Sequence, residues 1–183
     1  MIEAYSKVAT NPQFLIDEYN KIESKYFSNP ILLNYLATAY SHAGNKEKAK
    51  EISLKNYKKN KNYLFAKINY AQICLDEKDY NKIPIIFNGK FDLKFLYPKR
   101  KKFHVSEFML FNWIIGLYFF NIGNTEQAKV HYNLLKQIEP KDKQTKHLKT
   151  LIYPSFFTKW LLKQKDKYEK NILEKANKNK LSK

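Results

Sequence analysis

The chain has 183 residues, of which 44% are hydrophobic and 16% aromatic, so it carries enough apolar material for a packed core. Its 34 basic residues against 17 acidic ones give a formal net charge of +17, which implies attraction to polyanions and says nothing about the fold. The single cysteine, Cys74, excludes an internal disulfide framework, and we expect a buried structural thiol.

The positive charge comes almost entirely from lysine, because Arg100 is the single arginine. Frequent Lys, Asn, Ile, Tyr and Phe are typical of an AT-rich, bacterial genome, but that bias should raise Glu as well, and acidic residues stay few. The chain starts without a basic and then apolar signal segment. Its most apolar stretch, 108–122, is interrupted by Asn112 and is too short to span a bilayer. These features predict a soluble cytoplasmic protein with no integral membrane association.

Asparagine caps, first-turn prolines and apolar periodicity predict a chain of helices without strands. In chain order, the predicted helices cover about 12–26, 30–43, 46–59, two segments within 63–87, 105–121, 125–138, 144–152 and a last segment that starts at 154–155. Pro84 falls inside the second segment of 63–87, so that helix should be short or kinked. The irregular stretch 88–103 is long for a connection inside a compact domain, which favours a purpose for it.

One seven-residue pattern occurs twice. Residues 44–50 and 123–129 both read Gly-Asn-x-Glu-x-Ala-Lys, and each follows a segment rich in aromatic and aliphatic residues. Gly suits the left-handed end of one helix, Asn caps the next helix, and Glu in the first turn favours the helix dipole. Each copy therefore predicts a helix–turn–helix corner. A degraded copy at 78–83 lies 34 residues after the first and 45 before the last, so the second interval is 34 plus an insertion of 11.

In this register, four positions of the pattern can be compared across the three copies. The equivalent residues are Leu36, Tyr70 and Ile115; Ala37, Ala71 and Gly116; Tyr40, Cys74 and Phe119; and Ala49, Ile83 and Ala128. The pattern resembles the tetratricopeptide repeat family, over about 30–140. Pro140 closes the third copy as the family pattern requires. The first copy departs from the pattern, because Ser53, Asn56 and Lys61 replace its usual aromatic residue, Ala and Pro. The middle copy has Lys78 in place of Gly.

The resemblance implies an all-α fold, a short right-handed α-solenoid of about three helix–turn–helix repeats with a degenerate N-terminal helix and a C-terminal capping helix. Residues 1–28 would form the N-terminal cap, 29–140 the repeats with an insertion at about 88–103, and 141–183 a basic C-terminal cap and tail. The alternative is a chance antiparallel helical bundle.

In this family the first helix of each repeat lines a concave groove. The resemblance therefore implies these contact residues: Asn34, Thr38 and His42 in the first copy, Asn69 and Gln72 in the middle copy, and Trp113 and Leu117, together with Phe120, in the third. Lysine partners for a clamp on a chaperone tail are missing, so an extended or helical apolar segment is the better ligand. The alternative is that the chain itself fills the third-copy face, through 88–103 or the final helix.

A second candidate surface is basic. It includes Lys99, Arg100, Lys101 and Lys102 beside Phe91, Phe95 and Tyr97, and the C-terminal region with Lys163 and Lys167. Lysines attract phosphates and aromatic rings can stack on unpaired bases, but scarce arginine makes any nucleic-acid binding sequence-nonspecific. A solvated lysine face is the alternative. The last helix, with Phe157, Trp160, Leu161, Tyr168 and Ile172 on one face, favours a cap over a membrane-surface helix.

The sequence contains no motif that is typical of an enzyme active site. A glycine-rich phosphate loop, metal-ligand spacing and a nucleophile elbow are all missing from the sequence, and His42, His104, His131 and His147 are scattered. We therefore predict no cofactor, no metal and no catalytic residue. The sequence favours a non-enzymatic adaptor that binds another protein, with a polyanion-binding module for RNA or DNA as the alternative. A homodimer stays open, because an exposed solenoid end can pair with itself.

Overall fold

The computed structural model describes residues 10–21 and 28–156, together with Trp160 and Gln164. Within these ranges the chain is all-α, as predicted, and the helices are α1 (Pro12–Lys21), α2 (Pro30–His42), α3 (Lys46–Lys59), α4 (Leu64–Asp76), α5 (Lys82–Ile86), α6 (Leu93–Leu96), α7 (Val105–Asn121), α8 (Thr125–Ile138) and α9 (Lys143–Ile152). The predicted continuation of the first helix to residue 26 lies outside the described residues. So does most of the predicted last helix, including Phe157, Leu161, Tyr168 and Ile172.

Asparagine side chains cap the start of four of these helices. The Asn11 side chain accepts a hydrogen bond from the Phe14 N–H at 3.2 Å at the start of α1. Asn29 accepts hydrogen bonds from the backbone N–H groups of the first turn of α2. In the repeated pattern, the Asn45 side chain accepts from the third residue of α3 at 3.0 Å, and the Asn124 side chain accepts from the third residue of α8 at 3.2 Å. Pro84 lies at the centre of α5, which has only five residues, so the prediction of a short helix is confirmed.

The backbone takes the same path at the three corners that the repeat pattern predicts. At each corner one residue has a positive φ angle: Gly44 at 80°, Lys78 at 61° and Gly123 at 80°. At each corner the next N–H group donates to the carbonyl oxygen five residues earlier: Asn45 to Tyr40 at 2.9 Å, Asp79 to Cys74 at 2.8 Å and Asn124 to Phe119 at 2.8 Å. The degraded middle copy therefore keeps the corner geometry, although a lysine occupies the position where glycine is favoured.

The buried apolar side chains of the described chain form two clusters. The N-terminal core joins α1, α2 and α3, with Leu33 and Ile52 among its members. The C-terminal core joins α4 through α9 and contains Phe87, Phe111 and Ile114. α7 is buried on most sides, as its apolar sequence predicts, because it packs against α4, α8 and α9. No helix in the described ranges has both the length and the apolar character needed to cross a bilayer.

The composition of α3 explains why the two cores stay separate. The two full copies of the repeated pattern lie 79 residues apart. In this register, Ser53 and Asn56 of α3 correspond to Tyr132 and Leu135 of α8, which both belong to the C-terminal core. Asn56 is 1% exposed, and its side-chain amide donates to the Pro30 carbonyl oxygen at 2.9 Å. Polar side chains thus occupy positions on α3 where α8 supplies apolar ones. The departures of Ser53 and Asn56 from the repeat pattern are visible in the sequence, but their effect on helix packing is visible only in the structure.

Residues 88–103, which we call the strap, fold back onto the C-terminal core. Phe91 packs against Phe119 with ring centroids 5.1 Å apart, and Leu93 is 5% exposed. The Tyr97 hydroxyl donates to the Asn62 carbonyl oxygen at 3.1 Å, which ties the strap to the start of α4. The strap therefore has a packed inner side, and α6 is its one helical turn.

Candidate functional site

A cavity of about 460 Å³ lies between α2, α3 and the C-terminal half of α4. Its volume falls within the range of about 300–1,000 Å³ that is usual for ligand pockets. Small and aliphatic side chains form its apolar part, namely Ala37, Ala49 and Ile73. The cavity lies at the boundary between the two cores, where the polar face of α3 meets α4. The small Ser53 side chain of α3 is among the residues that line it.

Four of the predicted groove residues meet at this place. Thr38, Asn69 and Gln72 line the cavity. Asn34 lies beside them, because the Asn69 amide nitrogen donates to the Asn34 side-chain oxygen at 2.6 Å. The Thr38 hydroxyl donates to the Asn34 carbonyl oxygen at 3.0 Å. Polar side chains that were predicted to share one binding face thus join α2 to α4, the first helices of two predicted repeats.

One polar atom in the cavity wall is buried without a hydrogen-bond partner among the described residues. The Gln72 amide nitrogen donates to the Asp76 carboxylate at 2.7 Å, but the Gln72 Oε1 atom has no donor. Leaving a buried acceptor unsatisfied costs about 1–3 kcal/mol, so such an atom normally meets water or a ligand donor. The Gln72 Oε1 atom therefore carries this cost at the edge of the cavity, where less than 1 Å² of it is accessible.

Charged side chains surround the cavity. Glu47, Asp76 and Glu77 supply negative charge, and Lys46 and Lys50 supply positive charge. The Lys50 ammonium pairs with the Glu77 carboxylate, which links α3 to the end of α4, and this hydrogen bond raises the pKa of Lys50. Both partners are about half exposed, so the pair adds little to stability. Acidic groups thus outnumber basic ones here, although the whole chain is strongly basic.

The other four predicted groove residues do not line the cavity, and one of them, Phe120, is partly buried against the C-terminal core. His42 is exposed at the C-terminal end of α2. Trp113 is partly buried on α7, and its indole N–H donates to the His147 Nδ1 atom of α9 at 3.1 Å. Leu117 is 6% exposed and belongs to the C-terminal core, which corrects it from a contact residue to a core residue.

α9 approaches α7 closely beside the third-copy face. Leu148 of α9 is fully buried and packs directly over Gly116 of α7, where a side chain would collide with it. Because His147 of α9 also accepts the indole N–H of Trp113, the chain itself covers part of the third-copy face, as the alternative interpretation held. The covering element is α9, which that interpretation had not named, since it named the strap and the final helix.

The basic surface consists of exposed lysines and one arginine that pairs with a carboxylate. Lys99, Lys101 and Lys102 are exposed. The Arg100 guanidinium donates to both oxygens of the Glu107 carboxylate, at 3.0 and 2.8 Å, and lies 4.3 Å from the centroid of the Phe103 ring. Arg100 therefore fastens the strap to α7 through this ion pair, and its role as a phosphate contact stays a prediction. Lys163 and Lys167 lie outside the described residues.

The partner of Arg100 also caps α7. The Glu107 carboxylate accepts a hydrogen bond from the His104 backbone N–H at 2.9 Å, and His104 in turn caps the helix from the N-cap position. Burial raises the pKa of Glu107, but the hydrogen bonds from Arg100 and His104 outweigh burial and hold that pKa below its usual value. The signal that sequence reasoning missed was Glu107 three residues after His104, since a glutamate at that spacing is typical of a capping box.

Comparison of the chain with protein-family models, with curated proteins and with solved structures found no match. The functional interpretation therefore depends on the residues and geometry described above.

Proposed function

We propose that the protein is a non-enzymatic adaptor of tetratricopeptide-like architecture, a short right-handed α-solenoid that binds a segment of another protein on the face formed by α2 and α4. The observation that supports this most is the meeting of Thr38, Asn69 and Gln72 at one cavity. These residues belong to the first helices of two successive repeats, which is where the repeat resemblance implies ligand contacts. The shared backbone geometry of the three corners supports the repeat itself.

The binding face is built to be rigid. The hydrogen bond between Asn34 and Asn69 fixes α2 against α4, and the stacked rings of Tyr57 and Tyr70, with centroids 4.5 Å apart, fix α3 against α4. A face that is already ordered loses little conformational entropy when a ligand binds. Shape and side-chain complementarity with an extended or helical segment would then supply the affinity.

The test is affinity capture from a lysate of the source organism, with nuclease added and at moderate salt. Three baits are compared: the wild type, the double variant Asn69→Ala with Gln72→Ala, and the control Asn133→Ala, which makes the same change on an exposed position of α8. We expect one distinct protein on the wild type and on the control, and at least a tenfold loss on the double variant. Thermal melting confirms that each bait is folded. Equal capture by all three baits would refute the assignment of the binding face.

A second candidate function is binding of single-stranded nucleic acid by the strap. The observation that favours it is Phe95, which is 71% exposed beside Lys94 and close in sequence to Lys99, Lys101 and Lys102. Counterion release predicts that affinity for an RNA oligonucleotide falls steeply with salt. Replacing Lys99, Lys101 and Lys102 by Ala should reduce the slope of log affinity against log salt by about 2. A flat response to salt would exclude this function.

A further inference from the structure

The hydrogen bond between α7 and α9 repeats a contact of the face formed by α2 and α4. The Asn69 amide of α4 donates to Asn34 of α2 across 35 residues, and the Trp113 indole of α7 donates to His147 of α9 across 34 residues. Trp113 lies 79 residues after Asn34, which is the offset between the two full copies of the corner pattern. Just as α4 contacts both α2 and α3, α9 contacts both α7 and α8. The face formed by α2 and α4 thus has a counterpart formed by α7 and α9.

The contact with Trp113 fixes the tautomer of the His147 imidazole. An indole N–H group can only donate, so the His147 Nδ1 atom is the acceptor of this bond, at 3.1 Å. An imidazole that accepts at Nδ1 carries its hydrogen on Nε2, which is therefore a donor. His147 is exposed, and no acceptor within the described part of the chain engages its Nε2 atom. The structure thus presents an N–H donor on the surface of α9.

Two lysines stand beside this donor. Lys143 lies four positions before His147 and three before Lys146, and side chains at these spacings are neighbours on a helix surface. Both lysines are exposed, and neither forms an ion pair with another described residue. Residues 141–152 contain four lysines and one acid, Asp142, whose carboxylate caps α9 by accepting from the Gln144 N–H at 2.9 Å. Lys143, Lys146 and His147, which we call the α9 patch, therefore combine positive charge with N–H donors.

Resting on the proposed adaptor function, we propose that the α9 patch binds the carboxylate of a glutamate or aspartate side chain in the partner segment. The carboxylate oxygens accept from His147 Nε2 and from the two ammonium groups, and hydrogen bonds between ionised groups are roughly twice as strong as neutral ones. The partly buried Trp113 ring borders the patch, with its centroid 5.8 Å from that of His147, and packs against an apolar neighbour of the carboxylate. The net charge of +17 steers an acidic segment toward the protein.

A carboxylate from a protein suits this patch better than the phosphates of a nucleic acid. Single-stranded nucleic acids are held by basic grooves in which exposed aromatic rings stack on successive bases. The one ring at the α9 patch is Trp113, which is partly buried against the C-terminal core and whose N–H group is already bonded to His147. The patch therefore offers charge and donors for an acidic side chain without an open stacking platform for a base.

The experiment titrates the full-length protein with two capped peptides, N-acetyl-Leu-Gly-Glu-amide and N-acetyl-Leu-Gly-Gln-amide. The Trp113 indole N–H signal is followed by NMR and is assigned through Trp113→Phe. We expect saturable shifts with the glutamate peptide and at least tenfold weaker binding of the glutamine peptide. The double variant Lys143→Gln with Lys146→Gln should weaken binding at least tenfold. The control Lys58→Gln with Lys61→Gln removes the same charge from exposed positions at the end of α3 and just after it, and should leave binding unchanged.

The outcomes separate this proposal from the adaptor function. Absence of saturable shifts with the glutamate peptide, equal binding of both peptides, or an equal loss in both double variants overturns the proposal. If a single-stranded oligothymidylate shifts the Trp113 signal and the glutamate peptide does not, the α9 patch takes phosphate and the proposal fails. If Asn69→Ala with Gln72→Ala releases a partner captured from lysate while the variant of Lys143 and Lys146 retains it, the adaptor function stands and the acidic-segment proposal fails. If the glutamate peptide binds the α9 patch but capture depends on neither pair of residues, the adaptor function fails.

Discussion

A buried histidine should make the stability of this protein depend on pH. His131 of α8 is 4% exposed, and its ring stacks on Phe119 with centroids 5.7 Å apart. The Asn112 amide nitrogen donates to the Phe108 carbonyl oxygen, so the Asn112 oxygen accepts a hydrogen bond from His131 Nδ1 at 2.8 Å. Burial lowers the pKa of His131 from 6.5 to about 4, and the negative charge of Asp92 opposes this lowering only weakly.

The sign and size of the effect follow from linkage between protonation and folding. Between pH 6.5 and 4 the unfolded chain binds a proton on this imidazole that the folded chain does not bind, so stability is lost as the pH falls through this window. One pKa unit corresponds to about 1.4 kcal/mol. The His131 contribution should therefore cost about 2 kcal/mol on going from pH 7 to pH 5, and about 3 kcal/mol once the pH is below 4.

The assay is urea unfolding at pH 7 and pH 5 for the wild type and for His131→Gln, which keeps an N–H donor but does not titrate. Carboxylates contribute to acid destabilisation in both proteins, so the comparison isolates the imidazole. We expect the wild type to lose about 2 kcal/mol more than the variant over this range. The same pH dependence in both proteins would refute the reasoning. Asn112→Asp provides a second check, because a carboxylate facing the imidazole favours its charged form and should reduce the loss.

Three further substitutions test the packing. Gly116→Ala should lower the free energy of unfolding by about 1–2 kcal/mol, because the added methyl group collides with buried Leu148. The cost of this overpacking exceeds the gain in helix propensity from alanine. A more stable variant would contradict the close contact between α7 and α9. Lys78→Gly should raise the free energy of unfolding by about 1 kcal/mol, because it relieves the positive φ angle, and a urea midpoint that falls instead would count against that corner. Arg100→Gln should cost about 1–2 kcal/mol and speed hydrogen exchange in the strap, because Glu107 loses its partner; unchanged exchange would show that the pair does not hold the strap.

The helices were predictable because their ends are set by local chemistry. Pro30 and Asn29 define the start of α2 within a few residues, and Gly44 and Gly123 mark corners that any helix–turn–helix pair can form without help from distant residues. Lys78 was the harder case. The register identified that corner although its residue is unfavourable there, since neighbouring helices fix the backbone once both are packed.

The site was only partly predictable because its shape depends on contacts between distant segments. The resemblance to the tetratricopeptide repeat implied that Thr38, Asn69 and Gln72 share one face. The cavity between them also depends on Ser53, whose departure from the repeat pattern was visible in the sequence but whose effect on packing was not. The burial of Leu117 depends on packing within the C-terminal core, a long-range contact that periodicity within one helix does not report.

Arg100 illustrates the same limit for charge. A run of basic residues predicts a positive surface. The path of the chain decides which of these residues forms an ion pair with a carboxylate of the same protein. The strap brings Arg100 against Glu107 at the start of α7, and the neighbouring lysines stay exposed. The net charge of the chain is therefore a poor guide to the charge available at any one surface.

The most direct test of the proposed binding face is photo-crosslinking in cells of the source organism. A photoreactive residue is placed at Ser41, which is exposed and lines the cavity, and in a separate chain at Asn133, which is exposed on α8. If the face formed by α2 and α4 binds a partner protein, position 41 should give one discrete crosslinked protein that survives nuclease, and position 133 should give none. The absence of a crosslink at position 41, or the same products at both positions, would contradict the assignment of this face as the binding surface.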